Sequence, residues 1–257
     1  MTERSRMVPV LPYSSPPIER QKMKVLPHPD FDQCRCYVAA HLKSANKKKP
    51  TRKRSLPAVT ISRQTGTRGR NIGRKLREAL NVRYPQAEIP WTLFDENLVQ
   101  QILNDHNLPI DLEKFMPDDA VSEIESSINE ILGRHPSQWS LFEHTVETIV
   151  RLGSIGHSII VGRAGNKITQ GLKNVVNVRF IGSLDKRVHD FAERHNLSQK
   201  DALAMIKKED AARKNYLRQH FSTDIDDPLS YDLVINTDHL SDESILQILV
   251  AAIEAKS

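Results

Sequence analysis

The stretch VTISRQTGTRGRNIGRKL, residues 59–76, decides the fold of this chain. A short run rich in β-branched residues meets a turn that carries Gly66 and Gly69, and the turn leads directly into a segment with helix-like spacing. Glycines let a backbone curl with its N–H groups pointing inward, and the N-terminus of a following helix adds partial positive charge. The stretch therefore predicts a phosphate-binding loop between a strand and a helix.

Basic side chains crowd this loop. They are Arg63, Arg68, Arg70, Arg74 and Lys75. A basic loop at this place suits a polyphosphate ligand. The standard nucleotide-binding pattern G-x-x-x-x-G-K-[ST] does not occur in the sequence. An ordinary strand-to-helix turn with solvated arginines is therefore the open alternative.

The composition is typical of a globular protein. Of the 257 residues, 39% are hydrophobic and 27% are charged. No apolar run approaches the roughly 18 residues of a transmembrane helix, and the start of the chain lacks the apolar core of a signal peptide. We therefore expect a cytoplasmic protein with no membrane partner. Cys34 and Cys36 lack the spacing of a zinc pair, so two reduced thiols are the simpler interpretation and no protein-held metal is predicted.

Residues 1–55 are predicted to form a poorly ordered basic arm. They are rich in proline, allow one short helix over 31–45, and end in a lysine- and arginine-rich run over 46–54. This run carries part of the formal net charge of +5. A solvated linker is the preferred interpretation, and nucleic-acid binding through 46–54 is the alternative. The main domain is expected over 56–257.

Strands and helices alternate through the main domain. Strands are predicted over 58–62, 91–94, 158–161, 175–181 and 231–236. Helices are predicted from the glycine turn to about residue 80, over 95–103, within a helix-rich stretch at 111–153, and over 184–195, 198–220 and 240–253. This alternation favours a parallel sheet of about five strands with helices on both faces.

Polar segments lie at the carboxyl ends of several predicted strands. They are 63–71, 94–95, 162–163 and 182–185. Ligands of parallel sheets bind beyond these ends. The convergence predicts one shared ligand site at this edge.

Four blocks resemble the cytidylate kinase-like family of P-loop proteins. They read ISRQTGTRGRNIGRKL, then LFDENLV, then IIVGRAGNKI, and finally the tract from VNVRFIGSLDKRV through KKEDAARKNYLRQHF to YDLVINT. The resemblance implies an α/β fold of the P-loop kinase type, with a helical acceptor-side insert over 111–153 and a lid over 198–222. It also implies transfer of the γ-phosphoryl group of ATP, with Mg²⁺, to a nucleoside monophosphate, with CMP or dCMP as the expected acceptor.

The resemblance also assigns roles to individual residues. The ATP and phosphate-binding set is Arg63, Gly66, Thr67, Arg68, Gly69, Arg70 and Asn71. The catalytic set is Arg70, Arg213 and Arg218, and the acceptor-binding set is Asp95, Arg163 and Arg187. Cytidylate kinases carry Lys near the position of Gly69 and Asp at the position of Ala164. Arginines would therefore supply the positive charge of the loop, although a guanidinium is not equivalent to a compact ammonium.

Several of these roles have a structural alternative. Asp95 suits a helix N-cap. Arg163 could be a surface arginine, and Asp210 with Arg213 could form an ordinary i, i+3 ion pair on a solvated helix. Trp139, Phe142 and His144 could line a pocket or pack in the core.

Three functions stay open on the sequence. The first is a nucleotide kinase. The second is a P-loop phosphotransferase that acts on a small molecule other than a nucleotide. The third is a nucleotide-binding regulatory protein without efficient catalysis. No oligomeric state is predicted.

Overall fold

The structure is a computed structural model that describes residues 56–87, 89–95 and 140–256. The predicted arm over 1–55, with both cysteines, lies outside the described residues. So do residues 96–103 of one predicted helix, most of the 111–153 stretch, Trp139, and the side chains of Phe142 and His144.

Five strands form one parallel sheet within the described residues. They are β1 (Ala58–Arg63), β2 (Thr92–Phe94), β3 (Ser158–Val161), β4 (Val175–Ile181) and β5 (Leu233–Asn236). Their order is β2-β3-β1-β4-β5, and every pair is parallel. Val59 of the central strand lies opposite Ile159 on one side and Val176 on the other. The predicted parallel sheet of about five strands is confirmed.

The strands form where the sequence has short apolar and β-branched runs. All four residues of β3 are buried, as expected for a strand covered on both faces. The last strand begins later than predicted, because a 3₁₀ turn over Pro228–Ser230 precedes it and Tyr231 donates its hydroxyl to the carbonyl of Ile225 at 2.8 Å.

The helices of the described residues lie between these strands or after the last of them. They are α1 (Gly69–Arg83), α2 (Ser140–Ile155), α3 (Gly165–Ile168), α4 (Leu184–His195), α5 (Gln199–Phe221) and α6 (Asp242–Ala255). The four-residue α3 is not predicted from the sequence. The long polar helix is present as α5, and the Ser198 hydroxyl caps it by accepting the N–H of Asp201 at 3.1 Å. In the described part of the chain, no helix is both long and apolar enough to cross a membrane.

The two faces of the sheet differ in character. One face packs against α1 and α6 in a single apolar cluster that includes Ile61, Leu76 and Leu249. On the other face Thr60 donates to the side-chain oxygen of Asn177 at 2.6 Å, and Thr169 donates to the same oxygen at 3.1 Å. Alternate residues of a strand point to opposite faces, which explains the division. The packed sheet gives the strand ends a fixed base.

Candidate active site

The predicted phosphate loop follows the central strand. Gly66 has a φ of 95°, and Arg68, the residue before α1, has a φ of 62° without a side-chain cap. The first intrahelical bond runs from the N–H of Ile72 to the carbonyl of Arg68 at 2.9 Å. The N–H groups of residues 69–71 therefore have no carbonyl one turn earlier to bind. A helix N-terminus of this kind favours an anion.

Bonds to neighbouring segments fix the shape of this loop. The N–H of Gln64 donates to the carbonyl of Phe180 at 3.0 Å, and its side-chain oxygen accepts the N–H of Gly182 at 3.0 Å. Thr67 is 2% exposed and donates its hydroxyl to the carbonyl of Gln64 at 2.7 Å. Thr67, predicted in the phosphate-binding set, therefore braces the turn from inside.

An open cleft of about 860 Å³ lies over the loop. Its basic lining residues are Arg63, Arg68, Arg70, Arg74, Arg163, Arg194, Arg213 and His195. Glu209 is the single acidic side chain among the described residues that line it. Gly66, Gly69 and Asn71 also contribute to the wall. Such a concentration of guanidinium groups suits a ligand with several negative charges.

A second glycine turn lies beside the loop, at the end of β3. Gly162 has a φ of 89°, and the next two residues, Arg163 and Ala164, have φ values of 53° and 56°. A Cβ atom at Gly162 would overlap Nη1 of Arg63. The glycine therefore lets the Arg63 side chain cross from the first turn to the second, where Arg163 also borders the cleft.

Arg70 and Asp95 form an ion pair at the wall of the cleft. Arg70 Nε lies 3.3 Å from Asp95 Oδ2, and the side chains are 42% and 1% exposed. Asp95 follows β2 and lies beneath Arg70, outside the described lining of the cleft. Its predicted contact with the acceptor stays a prediction. In the structure Asp95 is the ion-pair partner of Arg70, an arginine of the loop.

Arg68 is directed toward the C-terminal helix. Its Nη2 donates to the carbonyls of Thr237 and Leu240 at 3.2 and 3.3 Å, and its Nε lies 3.3 Å from Asp242 Oδ1. These contacts tie the loop to the start of α6. Lys75 of α1 also contacts Asp242, at 2.7 Å. Asp242 was not singled out from the sequence.

Helix α5 reaches the loop through a cluster of charged side chains. Asp210 Oδ1 accepts the N–H of Thr65 at 2.8 Å and its hydroxyl at 2.9 Å. Arg213 contacts Asp210 at 3.1 Å and Glu209 at 2.8 Å, and its Nη1 also donates to the Thr65 hydroxyl. Arg213 borders the cleft, where acidic neighbours hold it, and its catalytic role stays a prediction.

Arg187 lies beneath the loop. It is 8% exposed, and it donates to the carbonyls of Gly182 and Thr65 at 3.0 Å each. Its Nη1 also lies 2.7 Å from Asp210 Oδ2. The loop packs so closely on it that a Cβ at Gly66 would lie 2.8 Å from Arg187 Cβ. Arg187 supports the loop from below and is not among the described residues that line the cleft.

Comparison with known proteins agrees with this geometry. The sequence model of the cytidylate kinase-like family matches residues 58–239. The chain belongs to the cytidylate kinase-like family. The match covers all five strands and every predicted site residue, whereas α6 lies beyond it.

Individual relatives are distant. A cytidylate kinase from Methanothrix thermoacetophila is 29% identical over 126 residues, which are 48% of this chain and 71% of that protein. A cytidylate kinase from Methanocaldococcus jannaschii is 27% identical over 107 residues, 41% of this chain and 60% of that protein. A crystal structure of an uncharacterized protein from Eubacterium ventriosum has a TM-score of 0.51 at 20% identity, covering 79% of this chain and 99% of that one. The last comparison shows a shared fold.

Arg194 and Glu209 are among the residues bordering the cleft that were not singled out from the sequence. Arg194 donates to the carbonyl of Gly66 at 2.7 Å, and burial lowers the pKa of its guanidinium. Arg194 follows Arg187 by two helical turns, so a search along one face of α4 would have found it. Glu209 has no feature in the sequence that marks it as a site residue, apart from its position next to Asp210.

Arg218, predicted to be catalytic, is not among the described lining residues of the cleft. Its Nη2 contacts the side-chain oxygen of Asn215 at 3.1 Å on the exposed surface of α5. Its catalytic role stays a prediction.

Proposed function

We propose that this protein transfers the γ-phosphoryl group of ATP to a nucleoside monophosphate, with CMP or dCMP as the acceptor. The observation that carries the proposal is the glycine turn at the end of β1, where residues 69–71 begin α1 and border the arginine-lined cleft. Phosphoryl transfer needs positioning and positive charge more than covalent chemistry from the protein. Membership in the cytidylate kinase-like family supports the nucleotide acceptor.

The loop supplies the donor side of the reaction. The N–H groups of residues 69–71 would bind the β- and γ-phosphates, since they lie at the start of a helix and border the cleft. Arg63 and Arg70 add guanidinium donors from the same loop. Charge-assisted bonds of this kind are stronger than neutral ones. The loop therefore holds the transferred group without the lysine of cytidylate kinases.

Mg²⁺ would come to this site with the nucleotide. Mg²⁺ keeps several waters and binds mainly through substrate phosphates with one or two protein oxygens. The side chain of Asn71, which borders the cleft, offers such an oxygen. Within the described ranges, no group of three or more His, Cys, Asp or Glu side chains could hold a metal ion. When bound, Mg²⁺ neutralises charge on the phosphates.

Arg163 would bind the acceptor phosphate. It borders the cleft in the turn after β3, and Arg63 reaches the same turn from the donor loop. The two phosphates would then lie between arginines of adjacent strand ends. Holding both reactants at one edge of the sheet gives the proximity that an in-line transfer requires.

Helix α5 would act as a lid. It borders the cleft with Arg213, Tyr216 and Leu217 and already contacts the loop. A helix over the transferred group excludes water, which limits hydrolysis of ATP.

The test is ADP formation by the purified full-length chain with ATP and Mg²⁺. CMP, dCMP, UMP, AMP and no acceptor are compared under identical conditions. We expect CMP or dCMP to stimulate ADP formation well above the rate without acceptor. ATP binding without stimulation by any of the four would contradict the proposal. That outcome would point to a non-nucleotide acceptor or to a nucleotide-binding regulator.

A further inference from the structure

The carboxylate of Asp210 occupies the two donors of Thr65 in the predicted phosphate loop. Its Oδ1 accepts both the N–H and the hydroxyl of Thr65, at 2.8 and 2.9 Å. Its Oδ2 lies 2.7 Å from Arg187 Nη1, and Arg213 Nη1 lies 3.1 Å from Oδ1. One carboxylate therefore satisfies a backbone donor, a hydroxyl and two guanidinium groups.

These donors form the kind of environment that binds a phosphoryl group. Backbone N–H groups and arginine forks are typical ligands of phosphate oxygens. The charges inside the cluster already balance, because Glu209 and Asp210 oppose Arg187 and Arg213. A phosphoryl group would therefore meet neutralised arginines unless the carboxylates move away.

The carboxylates are able to leave without disrupting the core. The side chains of Asp210 and Glu209 are 27% and 41% exposed, so each has solvent beside it. Helix α5 packs on α4 through a separate apolar cluster that includes Phe191, Ala202 and Ile206. A turn of the two carboxylates toward solvent, or a small shift of α5, would free the donors while this cluster stays intact.

We propose that Thr65, Arg187 and Arg213 form an anion subsite for a nucleotide phosphate, and that Asp210 is an internal competitor for it. In the present conformation the carboxylate fills the subsite. When the nucleotide binds, its phosphate replaces the carboxylate at the same donors. The identity of the anion rests on the proposed kinase function, whereas the competition itself does not.

The competition is tested by calorimetric titration of the full-length chain with inorganic tripolyphosphate. Asp210→Asn keeps the size of the side chain and removes its charge. We expect its affinity for tripolyphosphate to rise about tenfold, because two guanidinium groups lose their competing carboxylate. Asp201→Asn is the matched control on the same helix. Asp201 contacts the Ser198 hydroxyl at 2.6 Å, far along α5 from the loop, so its affinity should equal that of the wild type.

An unchanged or weaker affinity in Asp210→Asn would overturn the proposal. It would mean that Asp210 braces Arg187 and the loop in the form that binds anions. An equal rise in both variants would also overturn it, since removal of any negative charge would then explain the effect.

Amide hydrogen exchange on the wild-type chain gives an answer that does not depend on a variant folding. Competition predicts that saturating tripolyphosphate slows exchange in the loop over 64–71 and leaves exchange in α5 over 205–215 unchanged or faster, because α5 exchanges its contact with the loop for a contact with the anion. Slower exchange in both segments would show that the anion adds to the contact with Asp210, which contradicts the proposal. Neither measurement needs an acceptor, so failure of the kinase assay would leave both informative.

Discussion

Two turns that follow adjacent strands share an unusual backbone but present different groups to the cleft. The turn after β1 has Gly66 at a φ of 95° and enters its helix through Arg68 at 62°. The turn after β3 has Gly162 at 89° and enters its helix through Ala164 at 56°. Neither helix has a side-chain cap at that entry residue.

The helices that follow account for the difference. Helix α1 has 15 residues, whereas α3 has 4. The N-terminal N–H groups of a longer helix carry the larger aligned dipole, so the first turn suits the donor phosphates. In the second turn the N–H of Gly165 already bonds to the carbonyl of Gly162 at 3.0 Å. That turn mainly displays Arg163. Similar backbone turns therefore gain different roles from the helix behind them.

Substitution of the two glycines should give the largest effects and separate the turns. Gly66→Ala places a Cβ 2.8 Å from the backbone oxygen of Arg187, at a φ that alanine rarely adopts. We expect kcat/KM to fall about a hundredfold, because the loop must shift. In Gly162→Ala the obstructing atom is the flexible end of Arg63, so a fall of about tenfold is expected. Steady-state kinetics with the preferred acceptor measures both, and equal losses would show that the turns do not differ as described.

Loss of a loop arginine should give the next largest effect. Arg70→Ala is expected to lower kcat at least about tenfold, because it removes a charge-assisted phosphate contact. Arg70→Lys keeps a charge beside the buried Asp95 but loses the guanidinium fork, so an intermediate rate is expected. Arg83→Ala, at the far end of α1 where Arg83 pairs with Glu254, is the control. Wild-type kcat in Arg70→Ala would remove Arg70 from the donor site.

Substitution of Arg163 in the turn after β3 should weaken binding of the acceptor more than binding of ATP. Arg163→Ala is expected to raise the KM for the acceptor several-fold, with a smaller change in the KM for ATP. The reason is that Arg163 lies in the turn after β3, away from α1, where we propose that ATP binds. Two-substrate kinetics separates the two constants. An unchanged acceptor KM would mark Arg163 as a surface arginine.

A substitution at His157, in the turn before β3, should change the stability of the fold and leave kcat nearly unchanged. His157 has a φ of 50°, its Nδ1 lies 2.7 Å from the carbonyl of Ile89, and its ring stacks on Trp91 at 4.9 Å. Burial lowers the pKa of His157 below its ordinary value of 6.5. As the pH falls below that value the unfolded chain binds a proton first, so His157 makes the folded state less stable in acid.

His157→Asn tests this effect, since asparagine tolerates a positive φ. Urea unfolding at about pH 7 and about pH 5 should show a smaller loss of stability in the variant than in the wild type. The kcat at neutral pH should change little. An equal or larger acid loss in the variant would contradict the assignment.

The sequence predicted local features of this molecule well. Residues 158–161 and 175–181 form strands at the predicted bounds, because short β-branched runs indicate buried parallel strands. The glycine spacing after β1 predicted the turn that leads into α1. The four-residue α3 was missed, since such a short helix has no periodicity to detect. The predicted strand began too early, at Tyr231, because this residue fits the apolar pattern of a strand. In the structure its hydroxyl bonds to the carbonyl of Ile225 in the preceding loop, and β5 begins at Leu233.

The sequence did not indicate which arginines support the loop and which face the cleft. Arg187 and Arg163 both follow strands and looked alike in that respect, yet Arg187 is buried beneath the loop while Arg163 borders the cleft. Whether a guanidinium faces solvent or protein depends on what packs over it, and in this fold Gly66 packs on Arg187.

By itself the sequence determined the parallel α/β architecture, the glycine turn between β1 and α1 and the basic character of the residues around that turn. These follow from periodicity, glycine placement and charge, which act over a few residues. Only the tertiary structure decided that Asp210 binds the loop at Thr65, because it brings the two residues together across 145 positions of the chain. A contact between such distant residues depends on how α4 and α5 pack beside the sheet, and no local pattern contains that information.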